Sequence, residues 1–450
     1  MTHPKAHSEV KEDILKKVKR EDVRFIEIQF SDILGTVKSV SIPVTKLEYA
    51  MDEGIFIDGS SILGYATIEE SDMRAQPILE SFQIYPWTAD TPMKTARFMC
   101  NIFDHNGNRF KGDPRWALEK MLDKAKEKGW TFNVGPEFEF FLLNMDDRDN
   151  PVLEPYDSGG YFDLMPMDIG ETVRKDIVLA FDSMQFDMEA SHHEVAPGQL
   201  EIDLRYQNAL TMADRMMTLK FGVKTIAARY GLHATFMPKP FHGINGSGMH
   251  VHQSLANIDG GNVFDDPGGK YGLSDIAMKY LGGLLAHAEA MCAILASNVN
   301  SYKRLVPGYE APCYISWANM NRSALIRVPA GRGSRARMEL RNPDPSGNPY
   351  LQFAVMLAAG LDGIRRDLYP PEPVEKDIYH MSKEERKRLG IESLPESLGH
   401  AMEVFSQSKL MKETLGEHIF GHYLHIKGQD WDEYRTWVSD WEHKRYLRTM

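Results

Sequence analysis

The sequence predicts an α+β fold in two parts, a small N-terminal unit followed by a larger domain. The chain has 450 residues, of which 42% are hydrophobic, so it can form two or three domains with a substantial core. Alternating or apolar segments bounded by turn residues predict strands, and longer periodic segments predict helices. The turn His105-Asn106-Gly107 separates the two parts, and we place the domains at residues 1–106 and 107–450.

The N-terminal unit is predicted to begin with a polar helix, residues 9–18, and to contain a short helix that ends at Gly54. Alternation of apolar and polar residues predicts its strands, which cover residues 23–30, 37–44 and 95–103. The larger domain opens with Asp113, a typical helix N-cap, and Pro114, which suits the first helical position. This helix is expected to end at Gly129.

Strands and helices then alternate through the larger domain. The predicted strands are residues 135–143, two within 188–204, 233–237 and 249–255. The predicted helices are residues 171–184, 209–230, 274–296 and 349–366, with a mainly helical segment from 383 to 450. If Pro197-Gly198 is a two-residue hairpin turn, Glu194 lies directly opposite Glu201. Opposed like charges destabilise a sheet, so this register predicts a cation between them.

Charge and cysteine usage exclude several classes of protein. The formal net charge of -12 argues against a nucleic-acid-binding or membrane-surface protein, since both bind through clustered cations. The three cysteines have no CxxC spacing, so they indicate neither a disulfide framework nor a zinc site. The polar N-terminus lacks the apolar stretch of a signal peptide, and no apolar run is long enough to span a bilayer. We therefore expect a soluble cytoplasmic protein.

Acidic residues on short predicted strands are the strongest functional signal. The segments GPEFEFF, HHEVAPGQLEID, NGSGMHVHQS and ARMELRNPDP contain Glu137, Glu139, Glu194, Glu201, His250 and Glu339. Side chains two apart on a strand share a face, so Glu137 and Glu139 point the same way, as do His250 and His252. An isolated pair of this kind is more often a solvated face, but the surrounding phenylalanines favour a buried strand. Buried carboxylates need cations, and oxygen-rich ligands suit Mg²⁺ or Mn²⁺.

Arginines are concentrated beside Glu339, in a chain that is acidic overall. They are Arg322, Arg327, Arg332, Arg335, Arg337 and Arg341. A solvated basic run is the default interpretation, but in an acidic chain an anionic ligand explains the cluster better. The turn Asn245-Gly246-Ser247-Gly248 is by itself a weak phosphate-binding signal. Beside a site for several metal ions, these features indicate phosphoryl transfer.

In their order along the chain, these segments resemble the glutamine synthetase family, specifically the shorter, alpha-like subtype of its prokaryotic type I class. Further matching pieces are DGSSI at residues 58–62, IEESDM at 68–73, NSYKRLVPGYEAP at 300–312 and MELRNPDPSGNPYLQFA from residue 338. The resemblance implies an N-terminal β-grasp domain and a catalytic domain with a curved antiparallel sheet flanked by helices. It also implies a dodecamer of two stacked hexamers, with each active site shared between neighbouring subunits.

The resemblance assigns roles to single residues. One metal would be bound by Glu139, Glu194 and Glu201, and another by Glu137, His250 and Glu339. Substrate glutamate would contact Asn245, Gly246, Arg304, Arg322 and Arg341. ATP would contact Glu189, Tyr206, His252, Ser254, Arg327 and Arg337. The ammonium site would consist of Glu310 and of Asp58 from the adjacent subunit.

The implied reaction is the ATP-dependent ligation of ammonia to L-glutamate through γ-glutamyl phosphate, a step of nitrogen assimilation. Two or more Mg²⁺ or Mn²⁺ ions are expected in each subunit. Arg322 and the metals would offset the charge of the transferring phosphoryl group. Glu310 lies in a loop with Pro307-Gly308, which is expected to act as a flap that excludes water.

Departures from the family pattern bear on regulation. Residues 143–159 leave no room for the insertion of the longer type I enzymes, and the neighbours of Tyr379 differ from their adenylylated segment. We therefore expect Tyr379 to be unmodified. Tyr65-Ala66-Thr67 stands where shorter relatives have an arginine involved in feedback, so strong inhibition by glutamine is not expected. Nitrogen-regulatory proteins are candidate partners.

Two other functions fit the same scaffold. The alternative enzyme joins glutamate to a polyamine or another amine, but Asp58 and Glu310 favour ammonia because bulkier amines need a roomier and less anionic pocket. A non-catalytic structural assembly would have lost metal ligands, whereas every matched ligand is present in the chain.

Overall fold

The computed structural model describes residues 7–65 and 71–450, and within them the strands form two sheets, one of six strands and one of ten. The segments IEESDM and Tyr65-Ala66-Thr67 fall partly on residues 66–70, so the expectations attached to them lie largely outside the described residues. In the described part of the chain, no helix is both long enough and apolar enough to cross a membrane.

The six-stranded sheet belongs to the N-terminal unit. Its strands are β1 (Phe25–Ser31), β2 (Val37–Pro43), β3 (Ile55–Asp58), β4 (Asp72–Pro77), β5 (Gln83–Ile84) and β6 (Thr95–Phe103), and the helices are α1 (His7–Arg20) and α2 (Leu47–Glu53). β1 pairs with β2 in antiparallel and with β6 in parallel, in the order β2-β1-β6-β4-β3. Ile26, Ile28 and Phe98 are fully buried and form the core. The expected β-grasp domain is confirmed.

The ten-stranded sheet is built around one long strand, β7 (Trp130–Met145). Its other strands are β8 (Pro151–Pro155), β9 (Met188–His193), β10 (Gln199–Leu204), β11 (Gln207–Asn208), β12 (Leu232–Thr235), β13 (Val251–Asn257), β14 (Trp317–Ala318), β15 (Ile326–Arg327) and β16 (Met338–Leu340). The main order is β14-β15-β16-β13-β7-β10-β9, and all pairs except β14 with β15 are antiparallel. The expected curved antiparallel sheet with flanking helices is confirmed.

Helices cover this sheet and form the C-terminal segment. They are α3 (Pro114–Lys126), α4 (Glu171–Ser183), α5 (Ala209–Arg229), α6 (Asp275–Ala286), α7 (Ala288–Leu295), α8 (Ser301–Arg304), α9 (Pro349–Arg365), α10 (Lys383–Arg388), α11 (Leu398–Gln407), α12 (Lys409–Thr436) and α13 (Asp440–Tyr446). Asp113 accepts a hydrogen bond from the Arg115 backbone N–H and caps α3, as the sequence predicts. Residues 349–363 of α9 are all buried, so this helix is the centre of the larger core.

Two local predictions are wrong. Residues 274–296 form two helices rather than one, because the backbone at His287 leaves the helical conformation and its ring pairs with Asp362. The hairpin register is also different, since Glu201 lies opposite His192 and not opposite Glu194.

The hairpin loop explains the difference in register. The Gln199 backbone N–H donates to the Ala196 carbonyl at 3.0 Å, so Pro197-Gly198 does form a turn. Gly198 has a φ of 70°, as a type II turn requires, and this turn matches strand twist less well than the primed turns. Regular pairing therefore resumes only where the Glu194 backbone N–H donates to the Gln199 carbonyl at 2.8 Å. Glu194 consequently lies in the loop just after β9.

Candidate active site

The candidate site lies on one face of four neighbouring strands. Glu137 and Glu139 are on β7, and the antiparallel register places Asp203 and Glu201 of β10 directly opposite them. β13 pairs with the other edge of β7, and Glu339 of β16 is opposite His252. The rule that side chains two apart share a face thus brings acidic residues from remote parts of the chain together.

These side chains line a cavity of about 290 Å³. All six predicted metal ligands are among its lining residues, as are the five predicted glutamate contacts and Glu310. Asp58 does not line the cavity of its own chain; it lies at the exposed end of β3, where its carboxylate accepts from the backbone and hydroxyl of Ser60.

Glu137, His250 and Glu339 form the first acidic cluster. Each offers a ligand atom, and these atoms all lie within 4.8 Å of one another. The His250 Nδ1 is 2.9 Å from Glu137 Oε2 and 3.8 Å from Glu339 Oε1. This grouping matches one of the two sets of predicted metal ligands.

The second predicted set lies in the same cavity but is less closely grouped. Glu139 Oε2 accepts hydrogen bonds from the Gln199 side chain at 2.7 Å and from the Gly248 backbone N–H at 2.9 Å. The residues that gather ligand atoms within 4.8 Å around Glu201 are instead His192 and Asp203. The trio Glu139, Glu194 and Glu201 therefore stays a prediction.

The pKa values in the cavity are those of crowded, buried carboxylates. Burial, reinforced by neighbouring carboxylates, raises the pKa of Glu201 to about 12 and that of Glu194 to about 7. Burial also raises the pKa of Glu139 to about 7, against the pull of Arg304, and burial with the charge of Glu137 raises that of Asp203 to about 6.

Glu137 behaves differently from these four carboxylates. Burial alone would raise its pKa, but hydrogen bonds from His250 and His252 hold that pKa well below its ordinary value. At Glu139, Glu194, Glu201 and Asp203 burial outweighs the neighbouring positive charges, and Asp203 Oδ1 is a buried oxygen without a hydrogen-bond partner among the described residues. An oxygen-rich donor set of this kind fits Mg²⁺ or Mn²⁺.

A second cavity, of about 1020 Å³, adjoins the first. All six predicted nucleotide contacts line it: Glu189, Tyr206, His252, Ser254, Arg327 and Arg337. Glu137, Asp203 and Arg327 line both cavities, so the two meet at the acidic cluster. The guanidinium of Arg337 donates from Nε to His252 Nδ1 at 3.2 Å.

Arginines line the smaller cavity beside the carboxylates. Arg304 is buried and donates to the backbone carbonyls of Asn342 and Arg341 at 3.0 and 3.1 Å, so its position is fixed by the main chain. Arg341 donates to Glu339 at 3.1 Å, while its Nη1 is buried and has no hydrogen-bond partner within the described chain. A carboxylate ligand would satisfy this donor.

Several lining residues were not identified from the sequence. They are Tyr161, His192, Gln199, Asp203 and Tyr309. Asp203 could have been found, because it stands two residues after Glu201 on the same strand face. Gln199 likewise stands two residues before Glu201 on β10, and His192 lies opposite Glu201 on β9. Tyr161 and Tyr309 lie outside the strands, and the sequence carries no local signal for their positions.

The comparisons with known proteins agree with this geometry. Residues 22–105 match the family model "Glutamine synthetase, beta-Grasp domain", and residues 111–446 match "Glutamine synthetase, catalytic domain". The chain belongs to the glutamine synthetase family. The two matches cover both sheets and nearly all the helices of this family member.

Relatives of known sequence and structure extend the match to nearly the full chain. A glutamine synthetase of Clostridium saccharobutylicum is 52% identical over 97% of this chain and 98% of its own length. One from Staphylococcus aureus (strain Mu50) is 50% identical over the same shares. The solved structure titled "GmaS/ADP complex-Conformation 1" has a TM-score of 0.88 at 30% identity and covers 96% of this chain and 99% of its own.

Proposed function

We propose that this member of the glutamine synthetase family ligates ammonia to L-glutamate at the expense of ATP, through γ-glutamyl phosphate. The observation that carries the proposal is the junction of the two cavities. A nucleotide in the larger cavity would direct its terminal phosphate toward Glu137, Asp203 and Arg327, beside the space where glutamate would bind.

The chemistry requires activation of the glutamate side chain. A carboxylate is a poor acceptor for an amine because the leaving group would be an oxide ion. Transfer of the γ-phosphoryl group to a side-chain oxygen converts that oxygen into part of a phosphate leaving group. Ammonia then attacks the carbonyl carbon, the carbon–oxygen bond to phosphate breaks, and glutamine and inorganic phosphate are formed.

The arginines of the cavity support binding of glutamate and stabilisation of the negative charge on the phosphoryl group. Arg304, Arg322 and Arg341 line the cavity together with the carboxylates, and the free Nη1 of Arg341 is a donor for a substrate carboxylate. Arg322 offsets negative charge on the transferring phosphoryl group. Divalent metals, when bound by the predicted ligands Glu137, Glu139, Glu194, Glu201, His250 and Glu339, supply further neutralisation of phosphate charge.

An anionic site collects ammonium and accepts its proton. The Glu310 carboxylate faces the glutamate-binding loop and accepts a hydrogen bond from the Asn245 side chain at 3.1 Å. Asp58 of a neighbouring subunit is the proposed second carboxylate. Ammonium becomes nucleophilic only after it loses a proton, so both groups serve as general bases in this proposal.

The finer features of the enzyme are proposed on the same basis. They are the short type I subtype, Mg²⁺ or Mn²⁺ as the metal, a cytoplasmic dodecamer and a role in nitrogen assimilation. The half-buried Tyr379 donates its hydroxyl to the Ala311 carbonyl at 2.7 Å, which supports an unmodified tyrosine.

The test is a measurement of phosphate release in the presence of ATP, glutamate and Mg²⁺, with ammonia, putrescine or ethanolamine as the amine. We expect phosphate release with ammonia and its loss in Glu310→Ala. Activity confined to an organic amine would favour the alternative ligase, and no activity with any amine would favour a non-catalytic assembly.

A further inference from the structure

A buried lysine joins the two loops that border the substrate site. Lys239 is only 8% exposed, and its ammonium donates to the Ile244 carbonyl. The same ammonium lies 3.7 Å from the centre of the Tyr309 ring. Within residues 7–65 and 71–450, no carboxylate forms an ion pair with it. Burial of a charged ammonium costs free energy, and here the carbonyl and the aromatic face offset that cost.

Both contacts of the Lys239 ammonium are made to the residue just before a predicted substrate-site residue. Ile244 precedes Asn245, a predicted glutamate contact, and Tyr309 precedes Glu310, the predicted ammonium ligand. The hydrogen bond from the Asn245 side chain to Glu310 spans the same two loops on the cavity side. The Lys239 side chain therefore connects the loop that contains Asn245 with the loop that contains Glu310.

The first loop is packed too tightly to move independently of Lys239. A Cβ atom on Gly246 would lie 2.1 Å from the Pro238 carbonyl oxygen and 3.2 Å from the Lys239 side chain. The Ser247 backbone N–H donates to the same Pro238 carbonyl at 2.8 Å. In addition, Lys239 exchanges backbone hydrogen bonds of 2.7 and 3.0 Å with the Asn300 side chain.

The second loop holds Glu310 in a conformation that needs support. Glu310 has a φ of 60°, in the left-handed region that is unfavourable for residues other than glycine. The contacts on either side of it are the Lys239–Tyr309 stack and the hydrogen bond from Tyr379 to the Ala311 carbonyl. Of these two, only the stack also reaches the glutamate-binding loop.

We propose that Lys239 is a positioning residue. Its ammonium fixes the Tyr309 ring and thereby keeps Glu310 in contact with Asn245 until ammonia attacks the acyl phosphate. This inference rests on the proposed function. Without the stack, Glu310 would leave the site more often, so ammonium would bind more weakly and water would reach the acyl phosphate.

The first test uses paired variants of the assembled enzyme. Lys239→Met should raise the KM for ammonium about tenfold and increase phosphate release without ammonia, whereas Lys239→Arg, which keeps a cation, should recover most of both losses. Tyr309→Phe keeps the ring and should resemble the wild type, while Tyr309→Leu should resemble Lys239→Met. Combining Lys239→Met with Tyr309→Leu should add little to either change, since both remove the same contact.

The second test needs no catalytic activity. Hydrogen–deuterium exchange of the amides in residues 305–312 should be faster in Lys239→Met and Tyr309→Leu than in the wild type and in Tyr309→Phe. Wild-type enzyme without ligase activity would contradict the proposed function while leaving this measurement valid. Unchanged exchange in Lys239→Met, or equal losses of activity in Lys239→Arg and Lys239→Met, would overturn the positioning role.

Discussion

At the residue scale, the main feature of the site is the direct opposition of carboxylates on paired strands. Glu201 faces Glu139 and Asp203 faces Glu137 across the β10–β7 ladder. Like charges in opposed positions destabilise a sheet, and burial increases the cost because water cannot screen them. The raised pKa values of Glu139 and Glu201 show that protonation relieves this cost in the absence of metal, and bound cations would relieve it in the working enzyme.

Asp203 gives the sharpest single-residue test of this interpretation. Asp203→Asn keeps the shape of the side chain but removes the charge, so it should weaken binding of Mn²⁺ about tenfold with little effect on folding. Isothermal titration of the metal-depleted protein measures this. Asp147→Asn, at an exposed position outside both cavities, is the matched control. Equal affinities for both variants would contradict a role of Asp203 near the metal.

The raised pKa values predict how stability depends on pH in metal-depleted protein. Glu139 and Glu194 have a pKa of about 7 in the folded protein, against an ordinary value of 4.5. Between these values the folded state binds more protons than the unfolded state, so the free energy of unfolding falls as the pH rises. Glu137 has a lowered pKa and acts only below this window.

Thermal unfolding in EDTA at several pH values between about 5 and 8 would detect this decline. Excess Mg²⁺ should reduce it, because bound cations replace the protons. A melting temperature in EDTA that rises across this range would show that the carboxylates are not crowded as described.

The site residues were largely predictable from the sequence, but their pairing was not. Glu137 with Glu139, and His250 with His252, follow from the two-residue period of a strand. The opposition of Glu201 to Glu139 depends on the pairing of β10 with β7, which no local pattern reveals. The predicted opposition of Glu194 and Glu201 was wrong because the turn at Pro197-Gly198 does not pass directly into regular pairing.

At the scale of elements, the position of α9 is set by glycines at its crossing with α6. A Cβ atom on Gly283 would lie 2.1 Å from the Ala359 carbonyl oxygen, and one on Gly363 would lie 2.2 Å from the Lys279 carbonyl oxygen. The two backbones therefore touch.

Gly283→Ala tests the importance of this crossing. The added methyl group must push the helices apart, which should lower the free energy of unfolding by about 1–3 kcal/mol. Gly421→Ala is the matched control, since Gly421 lies in α12, is exposed and has open space where a Cβ would be placed. That control should be neutral or stabilising by up to about 1 kcal/mol, as measured by denaturant unfolding. Similar effects of the two substitutions would contradict the close crossing.

Helix starts were easier to predict than helix interruptions. Asp113 and Pro114 mark the beginning of α3 through local chemistry, namely a side-chain cap and a fixed φ. The break at His287 arises instead from its contact with Asp362, 75 residues away in the chain. Tertiary contacts of this kind override a continuous apolar pattern.

At the scale of the whole molecule, each subunit is proposed to contribute residues to two active sites, its own and that of a neighbour. Asp58 lies outside the cavity of its own chain, whereas Glu310 lines it. If Asp58 enters the active site of a neighbour, Asp58→Ala and Glu310→Ala remove residues that different subunits contribute to the same site. Co-expression of the two variants should therefore restore up to about a quarter of the wild-type activity, the fraction of interfaces with both residues intact.

Activity of the mixed assemblies is compared with that of each variant alone. A mixture that stays at the level of the single variants, although mixed oligomers are present, would contradict the shared site. The shared site is expected from the family resemblance alone, since no local pattern of residues shows which surface of a subunit meets its neighbour.

Phosphorylation of glutamate before ammonia attacks leaves an isotopic trace in the released phosphate. Glutamate labelled with oxygen-18 in its side-chain carboxylate is converted to glutamine with unlabelled ATP and ammonia, and the released phosphate is analysed by mass spectrometry. We expect one labelled oxygen in each phosphate, because the bridging oxygen leaves with the phosphoryl group. Formation of glutamine with unlabelled phosphate would contradict it.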